Sequence, residues 1–235
     1  MIYRERIKTP IIKILNDDFR NQLESIRKSK NVIIVTDPPF NINYHYKTYK
    51  DNLDEKFYYN MLASLLKEFP GVIIHYPECL HRLSIESNLV PLRIISWVYN
   101  SNTAKQHRDI AYYKVLPDMN KAKQEYKNPN DKRIKERIAR GILGGRMYDW
   151  WNVNQVKNIS KEKTIHPCQM PLEIMKNIIS TLPDDAIIFD PFTGSGTTAI
   201  ACNELGYDFI GTEIDKNYYD VAIERLNESI NKVDI

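Results

Sequence analysis

Residues 189–206 read FDPFTGSGTTAIACNELG, and they combine a strand end, a glycine turn and the start of a helix. The apolar run at 186–190 predicts a strand, and the residues at 197–205 predict a helix that stops at the next glycine. Gly194 and Gly196 permit the close backbone approach that a tight strand-to-helix turn requires. Because the first N–H groups of a helix lack partners, they point at whatever lies in the turn. The stretch therefore predicts an α/β fold with a ligand-binding turn.

Three kinds of ligand fit such a turn. A phosphate-binding P-loop needs a lysine after its second glycine, but Thr197 stands there. A dinucleotide-binding turn needs a third glycine three residues later, where this chain has Ala199, which some variants allow. An S-adenosylmethionine (SAM) site needs a short glycine turn and an acidic residue at the end of the next strand, where Glu213 lies. The turn by itself leaves these three interpretations open.

A second informative stretch is VIIVTDPPF at residues 32–40. Its apolar residues predict a buried strand, which the chain leaves through Asp37, two prolines and Phe40. The prolines fix two φ angles and restrict the residues before them, so this exit is a rigid bracket that carries one carboxylate and one aromatic ring. Taken alone, the bracket could equally be a proline-rich loop that only ends a strand.

Predicted strands and helices alternate along most of the chain, which indicates a parallel α/β sheet. The strands are predicted at 32–36, 72–76, 92–99, 186–190 and 208–215, and the helices at 19–26, 56–69, 171–182, 197–205 and 218–230. Residues 100–160 break this alternation. We therefore expect one catalytic domain, 1–99 and 161–235, with an insertion at 100–160 that carries its own structure.

Basic charge is concentrated in the middle of the chain. Residues 101–163 hold 15 Lys/Arg against 7 Asp/Glu, a net charge of +8, and the remainder holds 18 against 23, a net charge of −5. Such a segment is typical of a polyanion-binding surface, although a solvated helix at 131–140 would give a similar count. The candidate contacts to nucleic acid are Lys105, Arg108, Lys132, Arg133, Arg137, Arg140 and Arg146.

The composition restricts the class of protein. The 235 residues are 43% hydrophobic and 27% charged, which suits one globular domain with a modest insertion. No apolar run approaches the length that crosses a bilayer, and no secretory start is visible. The three scattered cysteines predict neither a disulfide framework nor a zinc site. We expect an intracellular, cytoplasmic protein without a bound metal.

The bracket, the F-x-G-x-G turn and the acidic strand end together resemble the amino-methylating DNA methyltransferases of the β group, in which the catalytic motif precedes the cofactor motif. The resemblance covers nearly the whole chain. ILNDD at 14–18 is similar to the segment near the cofactor adenine, DWWNV at 149–153 to a tryptophan-containing segment, and HPCQMP at 166–171 to the HPTQKP helix start. Two departures are Met170 in place of a lysine and Phe40 in place of the usual tyrosine. The second keeps the ring and loses only its hydroxyl.

This resemblance implies a Rossmann-like class I SAM-dependent methyltransferase fold, circularly permuted, with the basic insertion as target-recognition region. It implies SAM as cofactor, double-stranded DNA as partner and a role in restriction-modification, and it allows a homodimer or a partner subunit. The catalytic residues that it implies are Asp37, Pro38, Pro39 and Phe40. The cofactor-binding residues that it implies are Asp18, Asp37, His166, Gln169, Asp190, Pro191, Phe192, Gly194, Ser195, Gly196, Thr197 and Glu213.

The bracket suits transfer to the exocyclic amine of a base, whose lone pair is delocalised into the ring. The Asp37 carboxylate and the Pro38 carbonyl can both accept hydrogen bonds from one NH2 group, and the prolines hold both acceptors still. Phe40 offers a face on which an extruded base can stack. Aspartate before the two prolines resembles the N6-adenine enzymes more than the serine of many cytosine-N4 enzymes. We therefore expect methylation of adenine N6, with cytosine N4 as the alternative.

Two further alternatives follow from the residues. Cys168 lies in a Pro-Cys-Gln sequence similar to the nucleophile motif of carbon-5 cytosine methyltransferases, but in those enzymes the glycine motif precedes the cysteine, whereas Gly194 follows it here. A non-catalytic subunit that binds SAM and nucleic acid would have the same fold, although the intact bracket argues against it. RNA is the alternative substrate. Tyr44, His45 and Tyr46 are candidates for a lid over the extruded base.

Overall fold

The computed structural model describes residues 2–3, 8–44, 49, 51–157, 160 and 163–233, so His45 and Tyr46 lie outside the described residues. The strands in this part of the chain are β1 (Ile12–Leu15), β2 (Val32–Thr36), β3 (Gly71–His75), β4 (Arg93–Val98), β5 (His107–Tyr113), β6 (Lys123–Gln124), β7 (Gly145–Arg146), β8 (Trp150–Asn152), β9 (Ile187–Asp190) and β10 (Asp208–Thr212). The helices are α1 (Phe19–Arg27), α2 (Glu55–Glu68), α3 (Pro77–Ser87), α4 (Lys132–Ala139), α5 (Leu172–Ser180), α6 (Thr197–Leu205) and α7 (Lys216–Val233).

Eight of these strands form one sheet in the order β1-β10-β9-β2-β3-β5-β4-β8. β5 runs antiparallel to both of its neighbours, and the other pairs are parallel. The predicted α/β sheet is therefore confirmed, and it is parallel except for the two pairs that involve β5. β2 and β9 are distant in sequence but adjacent in the sheet, with Val32 paired to Ile187 and Ile34 to Phe189. Their carboxyl ends meet at one edge, so the bracket lies beside the glycine turn.

Helices cover both faces of the sheet, and β2 shows why. Its residues are buried on both sides, as a continuous apolar run in a parallel sheet requires. Ile33 and Val35 pack in a cluster with residues of α5, α6 and α7. Val32 and Ile34 pack in a second cluster with residues of α1, α2 and α3. Among the described residues, no helix combines the length and the apolar character that a membrane span requires.

The segment 100–160 is divided between the sheet and the surface. β5 lies inside the main sheet and β8 at its edge, and residues 114–149, which connect these two strands, lie outside it. Sequence reasoning missed β5 because its first three residues are polar and its buried run begins at Ile110. The part outside the sheet holds α4 and the small β6–β7 sheet, and it docks through the buried residues Met119 and Met147.

The core positions of β2 determine the stability of the sheet. Ile34 is 0% exposed, and we expect Ile34→Ala to lower the free energy of unfolding by about 2–5 kcal/mol, because it leaves a cavity between the sheet and α2. Ile85→Ala is the matched control, because Ile85 is 77% exposed and its truncation should change stability by less than about 0.5 kcal/mol. Urea denaturation followed by circular dichroism measures both. Equal losses would contradict this account of the core.

Candidate active site

A chain of hydrogen bonds fixes the bracket against α2 and β3. The Tyr58 hydroxyl donates to the Pro39 carbonyl at 2.7 Å and lies 2.9 Å from His75 Nε2. The backbone N–H of Tyr76 donates to His75 Nδ1 at 2.8 Å. Since a backbone N–H can only donate, Nδ1 is the acceptor and Nε2 carries the proton that bonds Tyr58. Burial and the nearby Arg108 charge together lower the pKa of His75 to about 3, so the ring stays neutral.

The bracket carboxylate is buried beside an arginine. Asp37 Oδ2 lies 3.5 Å from Arg108 Nη1, and within the described part of the chain Asp37 Oδ1 has no hydrogen-bond partner. Burial raises the pKa of Asp37 to about 7, while the Arg108 charge lowers it and the Asp190 charge raises it. A carboxyl group that titrates near neutrality in a cavity is a candidate for function.

Two flat groups contact the Phe40 ring. The His75 ring stacks on it with centroids 4.3 Å apart and 20° between planes, and the Arg108 guanidinium carbon lies 4.6 Å from its centroid. Both groups therefore lie within contact distance of the Phe40 ring. Arg108 was predicted as a contact within the basic segment, but its side chain is only 13% exposed and lies in this site rather than on the surface, because β5 is an inner strand.

A buried aspartate organises the loop after the bracket. Asp51 is 2% exposed, and its carboxylate accepts the N–H groups of Asn41 at 2.7 Å, Ile42 at 3.1 Å and Tyr44 at 3.0 Å. Asn41 and Asn43 have φ values of +56° and +60°, which asparagine tolerates better than most residues. The sequence gives no signal for Asp51. His75 and Tyr58 were also missed, although His75 ends a strand beside β2, at the edge where functional side chains collect.

Asp190 ties the glycine turn to the bracket strand. Its carboxylate accepts the Thr36 hydroxyl at 2.7 Å, the Thr198 hydroxyl at 2.6 Å and the Phe192 N–H at 3.1 Å. Burial raises the pKa of Asp190 to about 6, and these three donors lower it. The side chain therefore joins the ends of β2 and β9 to the start of α6.

Glu213 follows β10 at the predicted position, and it closes the glycine turn. One oxygen accepts the Gly194 N–H at 2.8 Å, and the other accepts the Asp215 N–H at 2.8 Å. Burial raises the pKa of Glu213 to about 7, the two N–H donors lower it, and the charges of Asp215 and Asp190 raise it. Gly194 has a φ of +56°, and a Cβ there would lie 3.1 Å from His166 Nε2. The backbone at this point forms a tight cradle.

The bracket and the cradle open into one cavity of about 370 Å³, which is large enough for a small organic ligand. Its lining at the bracket end includes Asp37, Pro38, Pro39, Phe40, Tyr44 and Arg108. Its lining at the cradle end includes Asp18, Phe19, His166, Cys168, Pro191, Phe192, Gly194, Glu213 and Tyr218.

Five predicted cofactor-binding residues lie behind the wall of the cavity and do not line it: Gln169, Asp190, Ser195, Gly196 and Thr197. Gln169 Oε1 accepts the backbone N–H and the hydroxyl of Thr164 at 2.9 and 2.8 Å. Arg225 donates to the Ser195 carbonyl at 2.6 Å and to the Thr197 hydroxyl at 3.1 Å. Gly196, with a φ of +81°, is in close contact with α7. These contacts shape the turn.

The other predicted nucleic-acid contacts lie on the surface. α4 has no buried residue, and its basic side chains are exposed. Lys105 is exposed and forms an ion pair with Glu78. Arg146 is exposed on β7. Within the described ranges, no group of three or more His, Cys, Asp or Glu side chains is arranged to hold a metal ion.

The sequence is similar to known DNA methylases. The model of the N6/N4 DNA methylase family matches residues 32–224. The type II methyltransferase M.BglII of Bacillus subtilis is 29% identical over 94% of this chain and 70% of its own length. The DNA adenine methyltransferase YhdJ of Escherichia coli K12 is 26% identical over 91% of this chain and 82% of its own length.

Solved structures show the same architecture. The M1.HpyAVI–SAM complex superposes with a TM-score of 0.60 and 26% identity, covering 92% of this chain and 100% of that one. The cytosine-N4-specific PvuII DNA methyltransferase has a TM-score of 0.64 at 14% identity, covering 97% of this chain and 96% of that one. The second likeness concerns the fold alone.

The buried Glu213 carboxylate makes stability depend on pH. Because its pKa rises from 4.5 to about 7 on folding, the folded protein keeps a proton that the unfolded chain loses in this window, and stability falls as pH rises through it. We expect Glu213→Gln to remove part of that fall, by about 1–3 kcal/mol between pH 5 and pH 7.5. Urea denaturation at both pH values measures it. Glu24→Gln, at a side chain 84% exposed, is the control and should keep the wild-type slope. An unchanged slope in Glu213→Gln would contradict the assignment.

Proposed function

The chain belongs to the N6/N4 DNA methylase family, and from this premise we propose that it transfers a methyl group from SAM to the exocyclic N6 of adenine in DNA. The observation that carries the proposal is the single cavity that joins the Asp37–Phe40 bracket to the Gly194–Glu213 cradle. Adenine is favoured over cytosine by the aspartate before the two prolines and by the similarity to a relative named as a DNA adenine methyltransferase.

The residues at the cradle fit SAM. Each Glu213 oxygen accepts one backbone N–H and keeps a lone pair that can accept a sugar hydroxyl. Gly194 leaves open the space that a side chain would fill, and Asp18, His166 and Phe192 line the same end of the cavity. When bound, SAM supplies an electrophilic methyl group. The role of each of these residues is part of the proposal.

The bracket prepares the amine that attacks. The Asp37 carboxylate and the Pro38 carbonyl accept hydrogen bonds from the target NH2 group, which favours a more tetrahedral and more nucleophilic nitrogen. The Tyr58–Pro39 hydrogen bond and the two prolines keep these acceptors in place. After the transfer the nitrogen is cationic and readily loses a proton. Asp37 needs to be ionised to accept the hydrogen bond from the amine. Because the cationic nitrogen loses its proton readily, Asp37 does not need to be a strong base.

Contacts to DNA are assigned to the exposed basic residues of the segment 100–160. The helix α4 and Arg146 supply cations that suit phosphate contacts, which position a protein on a duplex. Relatives named type II methyltransferases support a role in restriction-modification. A homodimer or a partner subunit stays a prediction.

The first test is methyl transfer from tritiated SAM to unmodified duplex DNA, followed by nucleoside digestion and mass analysis. We expect label in N6-methyladenine and a loss of at least about 100-fold in Asp37→Ala, because the amine loses its charged acceptor. Asp220→Ala, at an exposed helical position, should retain wild-type activity.

Other products would each revise one part of the proposal. Label in N4-methylcytosine would keep the mechanism and overturn the choice of base. Label in 5-methylcytosine would replace the bracket by Cys168 as the reacting group. Retained SAM binding without any label in DNA would favour an RNA substrate or the non-catalytic subunit.

The hydroxyl of Tyr58 should matter for turnover more than for cofactor binding. Tyr58→Phe removes the donor to the Pro39 carbonyl, so we expect kcat to fall about three- to tenfold while the Kd for SAM stays unchanged. Steady-state kinetics and equilibrium dialysis provide the two values. Tyr59→Phe is the matched control, because Tyr59 is a buried neighbour in α2 whose hydroxyl interacts with Cys79. If both variants lose the same activity, the bracket does not depend on Tyr58.

A further inference from the structure

The Phe40 ring that would receive an extruded base already contacts two groups in this structure. The His75 ring stacks on it with centroids 4.3 Å apart, and the Arg108 guanidinium carbon lies 4.6 Å from its centroid. His75 is 1% exposed and is held by Tyr58 and Tyr76, so it belongs to the fixed support of the bracket. Arg108 lies against both Phe40 and Asp37, so it is the group that must move for a base to contact both.

The guanidinium lies in an aromatic cage, and its polar contacts include a hydrogen bond with the Tyr99 hydroxyl, the Met170 sulfur and Asp37. Its central carbon is 5.3 Å from the Trp97 ring centroid and 5.8 Å from that of Tyr76. Nη1 is 3.8 Å from the Met170 sulfur, and Nε has no hydrogen-bond partner among the described residues. The ion pair to Asp37 spans 3.5 Å, which is long for a direct hydrogen bond. A buried N–H without a partner weakens the hold of the site on this side chain.

A guanidinium and a nucleobase with an exocyclic amine share the features that this site binds. Both are planar and delocalised, both can stack on an aromatic ring, and both offer N–H donors at one edge. Arg108 places its guanidinium carbon 4.6 Å from the Phe40 centroid and its Nη1 toward Asp37. These are the same two contacts that the proposed reaction requires of the target base.

We propose that Arg108 is a positioning residue that fills the target-base site and exchanges places with the base. The base takes over the Phe40 face and the Asp37 carboxylate, and the guanidinium moves onto the phosphate of the extruded nucleotide. The phosphate is the anion that arrives with the base, and arginine pairs well with it. This inference rests on the proposed methyl transfer to a base amine.

The exchange has a consequence for Asp37. The charged groups that face this carboxyl are Arg108 from β5 and Asp190 from β9, and Tyr99 after β4 is the neighbouring phenol. Burial raises the pKa of Asp37 to about 7 even though the Arg108 charge acts to lower it. Loss of Arg108 should therefore raise the pKa of Asp37 in the free enzyme. It should not change the pKa of Asp37 in the complex with the base in place.

The experiment compares wild type with Arg108→Met in single-turnover methyl transfer between pH 5.5 and 9. At limiting DNA the rate reports the free enzyme, and at saturating DNA it reports the complex. At limiting DNA we expect the acidic limb of the pH–rate profile to move up by about one pH unit in the variant, because an opposite charge near Asp37 is lost. The acidic limb at saturating DNA should not move.

Controls separate this effect from misfolding. Arg27→Met makes the same change at an exposed ion pair with Glu68, and it should leave both limbs in place. SAM binding verifies that each variant is folded. If Arg108→Met fails to bind SAM, Arg108→Gln replaces it with the same expected shifts.

Several results would overturn the exchange. A shift of both limbs would mean that Arg108 stays beside Asp37 when the base is bound, and a shift of neither would mean that its charge does not act on Asp37. A variant that binds SAM and DNA but transfers no methyl group would mean that Arg108 is needed in the reacting complex. Absence of transfer by wild type would instead refute the proposed function.

Discussion

The parallel pairing of β2 with β9 is the constraint on which the site depends. It brings together two strand ends that are about 150 residues apart in the chain, with Ile34 level with Phe189. The Thr36–Asp190 hydrogen bond, at 2.7 Å, then fastens the two exits to each other. Because both strands end at the same edge of the sheet, the bracket and the cradle line one cavity.

This arrangement holds three carboxyl groups out of water. Burial raises the pKa values of Asp37 and Glu213 to about 7 and that of Asp190 to about 6. Each of these groups would be easier to keep ionised at the surface, so the site lowers stability at neutral pH. Three donors stabilise the charge of Asp190 and two backbone N–H groups that of Glu213, but among the described residues Asp37 has only a long ion pair. The least satisfied carboxyl is the one to which the reaction is assigned, as expected of a site that trades stability for activity.

The supports around the bracket differ in firmness, and the difference has a physical origin. Tyr58 and His75 form a hydrogen-bond chain whose direction is set by one backbone N–H, so that support has one arrangement. Arg108 contacts the bracket through ring faces and a 3.5 Å ion pair, which are less directional. A rigid support and an exchangeable group, both in contact with Phe40, suit a ring that must receive a base.

The sequence by itself determined the motifs and their order. The bracket, the glycine turn, Glu213 and the main strands and helices follow from local patterns, because a short apolar run or a glycine turn restricts the backbone on its own. Tertiary structure alone decided which strands are neighbours, and so it placed β5 inside the sheet although its first half is polar. It alone turned Arg108 from a member of a basic segment into a wall of the cavity, and it recruited Asp51, Tyr58 and His75. These roles depend on contacts between residues distant in the chain, and such contacts leave no periodic or compositional signal in a single sequence.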